Sequence, residues 1–224
     1  MKVCDLRGQS FRSIYAVGDI HGMAPLLEEL LDLVTFDPDK DLMIFLGDYI
    51  DRGPYSREVI EILLGLVNRY PSVLCLKGNH EQMFLDFLSG ADPLVYFWNG
   101  GRQTLKSYGY RERDDGSYEV FVPEEHLKFL RSLHLGVETD DYIFVHAGLR
   151  PGIPLDLQSE EDMLWIRHEF IYSMEDFGKR VVFGHTPVVE PLVMHNKIGI
   201  DTGAVYGRYL TCVKLPDEEF YRVW

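Results

Sequence analysis

Two carboxylates and an arginine stand directly after a short apolar run in the first quarter of the chain. Met43 to Leu46 are all apolar, which is typical of a buried strand, and the run stops at Gly47. Asp48, Asp51 and Arg52 follow, so acidic and basic groups come at the end of the strand. In open α/β sheets, ligands bind at the carboxyl ends of the strands. The spacing therefore predicts a charged binding site at a sheet edge.

Four other strand-like segments end in the same way, with side chains that can bind a metal ion. An aspartate after a strand is usually a turn former, and a lone histidine is usually a core or surface residue. The repetition of one placement at five strand ends favours a shared metal site instead. The candidate ligands besides Asp48 are Asp19, His21, Asn79, His146 and His185. Mixed imidazole and carboxylate ligands suit Mn, Fe and Zn, whereas Ca prefers oxygen ligands throughout.

A carboxylate can bind one cation with each of its oxygens, and Asp48 is the predicted bridge between two metals. The remaining ligands are expected to divide between them, with Asp19 and His21 on one metal and Asn79, His146 and His185 on the other. Two metals about 3.5–4 Å apart can generate hydroxide and hold phosphate oxygens during an in-line displacement.

The elements that must position these side chains alternate between strands and helices in the first ninety residues. Strands are predicted at 13–17, 43–46 and 73–76, and helices at 26–34, 56–70 and 81–88. Such alternation predicts a largely parallel sheet, which gathers the strand ends at one edge. Residues 92–133 predict an inserted helical lobe. A hairpin over 135–145 and later short strands, including 209–215 and 219–224, predict a second, mainly antiparallel sheet.

Composition and charge exclude several classes of protein. Of the 224 residues, 46% are hydrophobic, which is enough for a sizeable core and argues against disorder. The net charge of -14 argues against a nucleic-acid partner, although bound cations can still attract a phosphorylated substrate. Cys4, Cys75 and Cys212 form no CxxC pair and predict free thiols in a reducing, cytoplasmic compartment. No stretch is typical of a secretion signal or of membrane-spanning length, so no membrane partner is expected.

Five motifs together resemble the full set of the calcineurin-like metallophosphoesterases, in the right order and over Ser13 to about Tyr209. They are Gly18-Asp19-Ile20-His21-Gly22, Gly47-Asp48-Tyr49-Ile50-Asp51-Arg52-Gly53, Gly78-Asn79-His80-Glu81, His146-Ala147-Gly148 and Gly184-His185-Thr186. The similarity is closest to the serine/threonine phosphoprotein phosphatase branch, especially its small bacterial and phage members. It implies an α/β fold of two facing mixed β-sheets flanked by helices, a four-layer αββα sandwich. This fold would form one domain over residues 1–224, with a helical insertion at about 92–133.

The resemblance also implies roles for polar residues beside the metal ligands. His80 would be the general acid that protonates the leaving alcohol, and Asp51 would hydrogen-bond His80 and fix its orientation. Arg52, Arg167 and Asn79 would bind the substrate phosphate, since a guanidinium presents planar donors to two oxygens. A surface salt bridge for Arg52 and a helix-surface position for Arg167 are the alternatives.

A later segment, Asp201 to Ala204, resembles a part of this family near the site and is given no catalytic role. The leading hypothesis is a metal-dependent phosphatase that hydrolyses phosphomonoesters, foremost phosphoserine and phosphothreonine in proteins or peptides, by direct attack of a hydroxide held between two divalent cations. Manganese is the expected metal, with iron or zinc as alternatives. The alternative substrates are dinucleoside polyphosphates of the diadenosine tetraphosphate type, or other small phosphorylated molecules. A catalytically silent protein-binding scaffold is disfavoured by the complete set of site residues, and the oligomeric state is left open.

Overall fold

The computed structural model describes residues 3–224; Met1 and Lys2, which the predicted domain includes, lie outside the described residues. The strands are β1 (Val3–Asp5), β2 (Ile14–Val17), β3 (Leu42–Phe45), β4 (Val73–Cys75), β5 (Tyr110–Glu112), β6 (Tyr118–Val120), β7 (Gly136–Glu138), β8 (Tyr142–Val145), β9 (Arg180–Phe183), β10 (Leu192–Val193), β11 (Lys197–Gly199), β12 (Leu210–Leu215) and β13 (Glu219–Val223). The helices are α1 (Ala24–Leu33), α2 (Ser56–Arg69), α3 (Asn79–Leu88), α4 (Pro93–Trp98), α5 (Gly101–Tyr108), α6 (Glu124–Ser132), α7 (Glu160–Trp165) and α8 (His168–Ile171), with short 3-10 helices at Leu155–Leu157 and Ala204–Tyr206. Within residues 3–224, none of the helices has the length and apolarity needed to cross a membrane.

The first sheet has the strand order β13-β12-β2-β3-β4, and its strands β2, β3 and β4 run parallel. Their last residues stand side by side, with Val17 opposite Phe45 and Phe45 opposite Cys75. The loops that follow these strands therefore leave the sheet at one edge, as the alternation of strands and helices predicts. Every residue of β2 and β3 is buried, because both faces of this sheet are covered.

The second sheet, in the order β1-β7-β8-β9-β11-β10, is mixed rather than mainly antiparallel. The predicted hairpin of β7 and β8 is present, but the pairs β1–β7, β8–β9 and β9–β11 are parallel. The prediction of a mainly antiparallel sheet was wrong because α7 and α8 lie between β8 and β9, and a long crossover returns the next strand in parallel. The tail also differs from the prediction, since β12 pairs with β2 and extends the first sheet.

The two sheets face each other across an apolar layer, and helices cover their outer faces. Alternate side chains of β3 point to opposite sides: Ile44 lies in the layer between the sheets, whereas Met43 and Phe45 belong to the cluster that includes the buried residues of α1 and α2. On the far side, α7 and α8 cover the second sheet through Met163 and Phe170. The result is the predicted four-layer arrangement of helices, two sheets and helices.

Residues 92–133 form the predicted insertion beside the first sheet. It contains α4, α5 and α6, and also a hairpin of β5 and β6 that the sequence pattern does not predict. Buried Tyr96 and Leu105 join the apolar cluster that α1 and α2 share with the sheet. The main-chain N–H of Arg52 donates to the carbonyl of Gly100 at 3.2 Å. The insertion therefore touches the loop that carries the predicted charged site.

Candidate metal centre and active site

The loops after β2, β3, β4, β8 and β9 bring the predicted site residues together at one edge of the two sheets. Six described residues other than glycine have positive φ, and five of them belong to the predicted site: His21, Asp48, Asp51, Arg52 and His185. A conformation of this kind costs about 1–3 kcal/mol at each residue. Such strain persists only where surrounding contacts hold it, and it collects at functional sites.

Asp48 lies at the centre of this group and is buried. Its two oxygens face different histidines: Oδ1 lies 3.4 Å from His146 Nε2, and Oδ2 lies 3.4 Å from His21 Nε2. Burial alone would raise the pKa of Asp48, but the imidazoles of His146, His80 and His21 hold that pKa well below its usual value. One oxygen of a charged carboxylate thus faces each half of the site, which is the arrangement that a bridge between two cations requires.

Main-chain carbonyls determine which nitrogen of His21 and His146 can bind a cation. His21 Nδ1 lies 2.8 Å from the carbonyl oxygen of Ile50, and His146 Nδ1 lies 2.9 Å from that of Leu46. A carbonyl only accepts, so each Nδ1 carries the proton and each Nε2 keeps a lone pair that faces Asp48. Burial lowers the pKa of His21 to about 3 and also lowers the pKa of His146. Both rings are therefore neutral, the form that ligates metals.

Further acceptor atoms converge on His146 Nε2. This nitrogen lies 3.0 Å from Asn79 Oδ1, 3.2 Å from His185 Nδ1 and 3.4 Å from Asp48 Oδ1. Two ligands that are each about 2.1 Å from one ion lie about 3.0–3.4 Å apart, so the spacing fits a shared cation. Burial lowers the pKa of His185 to about 2, which keeps this imidazole neutral too. The donor set of neutral imidazole, carboxylate and amide oxygen therefore fits a divalent transition metal.

The structure groups the candidate ligands in two clusters that share Asp48, and Asp19 belongs to neither among the described residues. Within each cluster the ligand atoms lie within 4.8 Å of one another; the clusters are His21, Asp48 and His80, and Asp48, His146 and His185. The Asp19 carboxylate instead accepts the main-chain N–H of His185 at 3.0 and 3.1 Å. Burial, followed by Asp201 and Asp48, raises the pKa of Asp19 well above its usual value. A cation near these acids favours the charged carboxylate and opposes that rise.

His80 differs from the three neutral histidines. Its Nδ1 lies 2.7 Å from Asp51 Oδ2, while Asp51 Oδ1 accepts hydrogen bonds from the hydroxyls of Tyr96 at 2.7 Å and Thr104 at 2.5 Å. Burial opposes a charge on His80, but Asp48 and the hydrogen bond to Asp51 outweigh it and raise the pKa of His80. Its Nε2 is buried and has no hydrogen-bond partner in the part of the chain that the structure describes. The site thus contains one histidine that favours the protonated form.

The two predicted phosphate-binding arginines lie on opposite sides of the centre. Arg52 Nη1 is 2.5 Å from His21 Nε2, so this guanidinium and a cation compete for one lone pair. Arg167 lies between α7 and α8 rather than within a helix, and it is exposed. Its Nη1 donates to the main-chain carbonyl of His185 at 3.3 Å. Each arginine therefore stands next to a histidine of a different ligand cluster.

Glu81 holds the loop around Asp48, a role that was not predicted from the sequence. Its buried carboxylate accepts hydrogen bonds from the main-chain N–H groups of Asp48 at 2.9 Å, Tyr49 at 2.8 Å and Gly78 at 2.8 Å. These bonds join the loop after β3 to the first turn of α3. A signal was present in the sequence, because an acidic residue at the third position of a helix often bonds to the N–H that precedes the helix.

Asp201, for which the sequence predicts no catalytic role, lies beside the same centre. It is buried, and its carboxylate accepts the main-chain N–H of Gly203 at 3.0 Å. Burial raises the pKa of Asp201 to about 6, and Asp48 adds to the rise. At Gly18 a Cβ would lie 2.4 Å from the carbonyl oxygen of Ile200, so the segment before Asp201 packs directly on the loop that carries Asp19.

Replacing Glu81 by glutamine should destabilise the protein by about 1–3 kcal/mol. The NH2 group of glutamine cannot accept a hydrogen bond, so it would leave at least one of the three buried main-chain N–H groups without an acceptor. The free energy of unfolding in urea measures this loss. The matched control is Glu124→Gln, in the exposed first turn of α6, which should unfold like the unmodified protein. Equal stability of the two variants would show that the Glu81 carboxylate does not hold the loop.

Comparisons with known proteins agree with this geometry. The family model described as calcineurin-like phosphoesterase matches residues 12–210. The chain is 30% identical to serine/threonine-protein phosphatase 1 of Salmonella typhimurium over 219 residues, which cover 94% of this chain and 95% of that protein. It is 27% identical to the asymmetrical bis(5'-nucleosyl)-tetraphosphatase PrpE of Halalkalibacterium halodurans, over 92% of both chains.

The fold agrees as well. A solved structure assigned provisionally as a diadenosine tetraphosphatase superposes with a TM-score of 0.76 at 23% identity, over 99% of this chain and 97% of the other. A metallophosphoesterase from Sphaerobacter thermophilus superposes with a TM-score of 0.59 at 19% identity, over 95% and 88% of the two chains. Proteins of the matched family use a dinuclear centre of divalent metals. The chain belongs to the calcineurin-like phosphoesterase family and is a metal-dependent phosphoesterase.

Proposed function

We propose that this protein hydrolyses phosphomonoesters of serine and threonine in proteins or peptides with two Mn²⁺ ions. The observation that carries the proposal is the buried Asp48 carboxylate, whose two oxygens each face the lone pair of a neutral histidine. The proposed ligands are Asp19, His21, Asp48, Asn79, His146 and His185. Iron and zinc share the preference for this donor set and are the alternative metals.

Two cations bound here would supply a nucleophilic hydroxide and neutralise phosphate oxygens. The chain contributes the geometry that such a centre needs. The main-chain carbonyls of Ile50 and Leu46 hold the two imidazoles so that their Nε2 atoms face Asp48. Hydrogen bonds of this kind fix the orientation and tautomer of histidine ligands.

His80 is the proposed general acid. Its ring is held by Asp51, which is itself held by Tyr96 and Thr104 from the insertion, so the imidazole has little freedom to rotate. Nε2 is then the atom that delivers a proton to the leaving oxygen, and Nδ1 keeps its own proton on Asp51. A positioned acid of this kind contributes about 10²–10⁴-fold to the rate.

Arg52 and Arg167 are the proposed phosphate-binding arginines, together with Asn79. A cation on His21 Nε2 would displace the Arg52 guanidinium from that atom and leave its donors for a phosphate oxygen. Arg167 would approach the phosphate from the His185 side, where its guanidinium already lies. Two guanidinium groups on opposite sides suit a dianionic phosphoryl group, since each offers a planar pair of donors.

The relatives support two substrate classes. Two proteins of Salmonella typhimurium named serine/threonine-protein phosphatase 1 and 2 are each 30% identical to this chain. Relatives named asymmetrical bis(5'-nucleosyl)-tetraphosphatase are 27–29% identical. Hydrolysis of dinucleoside polyphosphates is therefore the second candidate function, with the same centre acting on an anhydride. We infer that residues 1–224 form one catalytic domain that acts in the cytoplasm, on the support of the family match over 12–210 and of three free cysteines.

A substrate panel with the Mn-loaded enzyme tests the proposed substrate class. The substrates are one peptide carrying phosphoserine, phosphothreonine or phosphotyrosine, and diadenosine tetraphosphate. We expect kcat/KM for the phosphoserine and phosphothreonine peptides to exceed that for the dinucleotide. The reverse order would favour the second candidate function, and no hydrolysis of any substrate would contradict both.

Substituting His80 by asparagine should lower kcat by about 10²–10⁴-fold for alkyl phosphates, whose leaving alkoxide needs a proton. The loss should be much smaller for p-nitrophenyl phosphate, because nitrophenolate leaves without protonation. Asp51→Asn should lower kcat less than the His80 substitution does, and again more for alkyl phosphates than for p-nitrophenyl phosphate. The matched control is exposed His195→Asn, which should retain the original rates. Equal losses for good and poor leaving groups would rule out the acid role.

A further inference from the structure

Tyr206 is an exposed aromatic residue next to the proposed site, and no step of the proposed reaction uses it. It ends the 3-10 helix Ala204–Tyr206, and 58% of its surface is accessible. The centre of its ring lies 5.7 Å from Cζ of Arg52, which is within cation–π range. An exposed ring on a phosphate-binding arginine is available to a substrate as well.

The backbone around Tyr206 is tightly fixed. The N–H of Tyr206 donates to the carbonyl of Gly203 at 2.9 Å, and Gly203 N–H donates to the buried Asp201 carboxylate at 3.0 Å. Gly203 and Gly207 flank the short helix with φ of 76° and 73°, values that favour glycine. Thr202 Oγ1 also donates to the carbonyl of Tyr209 at 2.6 Å. Because the backbone is already ordered, only the side-chain torsions of Tyr206 lose conformational entropy when a ligand packs on its ring.

Tyr206 lies on the side of the site that contains the proposed acid. Arg52, on which its ring stacks, contacts His21 Nε2, and the ring centres of His21 and His80 are 4.6 Å apart. The opposite side has its own aromatic residue, Trp165, whose ring centre lies 6.2 Å from that of His185. The leaving group of a substrate must extend toward the acid that protonates it, and therefore toward Tyr206 rather than Trp165.

We propose that Tyr206 is a specificity-determining residue whose ring packs against the leaving group and raises kcat/KM for planar aromatic leaving groups, which extends the proposed serine and threonine phosphatase activity to aryl esters. The inference rests on the proposed phosphomonoesterase function and on the position of His80. Aromatic leaving groups occur in aryl phosphates and in phosphotyrosine, and a ring pair adds to binding beyond the area that it buries. The effect should be about three- to tenfold in kcat/KM.

The test is the ratio of kcat/KM for two substrates in each variant, because a change at Arg52 affects every phosphate equally and cancels in the ratio. The substrates are one peptide carrying either phosphotyrosine or phosphoserine, with p-nitrophenyl phosphate as a second aryl ester. Tyr206→Ala should lower the ratio of aryl to alkyl rates about three- to tenfold. Tyr206→Phe keeps the ring and should keep the ratio.

The matched control is Tyr110→Ala, a partly exposed tyrosine on β5 of the insertion hairpin, which should leave the ratio unchanged. An equal loss for aryl and alkyl esters in Tyr206→Ala would overturn the inference and show that the ring acts only through Arg52. A fall in the ratio for Tyr206→Phe as large as that for Tyr206→Ala would also overturn it. If the unmodified enzyme hydrolyses none of these phosphomonoesters, the proposed function itself has failed, so the two failures are distinguishable.

Discussion

A buried carboxylate that faces histidine lone pairs on two sides is the constraint on which the rest of this structure depends. Removing Asp48 from water costs several kcal/mol, and its two oxygens face the lone pairs of His21 and His146, a set of acceptor atoms that a positive charge would satisfy. Divalent cations on both sides would stabilise the buried carboxylate, because every acceptor atom would then face a positive charge. The four histidines of the site lie in two kinds of environment. Burial keeps His21, His146 and His185 neutral, whereas His80 has a carboxylate partner.

The glycines of the motifs follow from how closely the loops must approach this carboxylate. At Gly78 a Cβ would lie 2.1 Å from Asp48 Oδ1, so a residue with a side chain does not fit at position 78 without moving Asp48. Gly47 adopts a φ of 106°, and a Cβ there would lie 2.6 Å from the nitrogen of Gly78. Glu81 then ties these strained loops together through three main-chain N–H groups. Strain at Asp48 is thus balanced by contacts between loops that follow different strands.

The parts of the fold that were predictable from the sequence are those with local signals. Apolar runs ending in glycine mark the strands, and polar residues at their ends mark the site. Partners far along the chain had no such signal: Thr104 and Tyr96 reach Asp51 across 53 and 45 residues. The same limit explains why β12 was expected in the second sheet, since the apolar pattern of a strand does not specify its neighbour. The position of Arg167 between two short helices likewise depends on packing of the crossover.

Anomalous scattering from crystals of the Mn-loaded protein, collected at the manganese edge, would locate the ions that a bridging Asp48 requires. We expect two peaks about 3.5–4 Å apart, on either side of Asp48, with one carboxylate oxygen of Asp48 bound to each. One peak should lie at bonding distance from His21 Nε2 and the other from His146 Nε2, with His80 bonded to neither. A single peak, or a pair in which Asp48 contacts only one ion, would contradict the bridging role of this carboxylate.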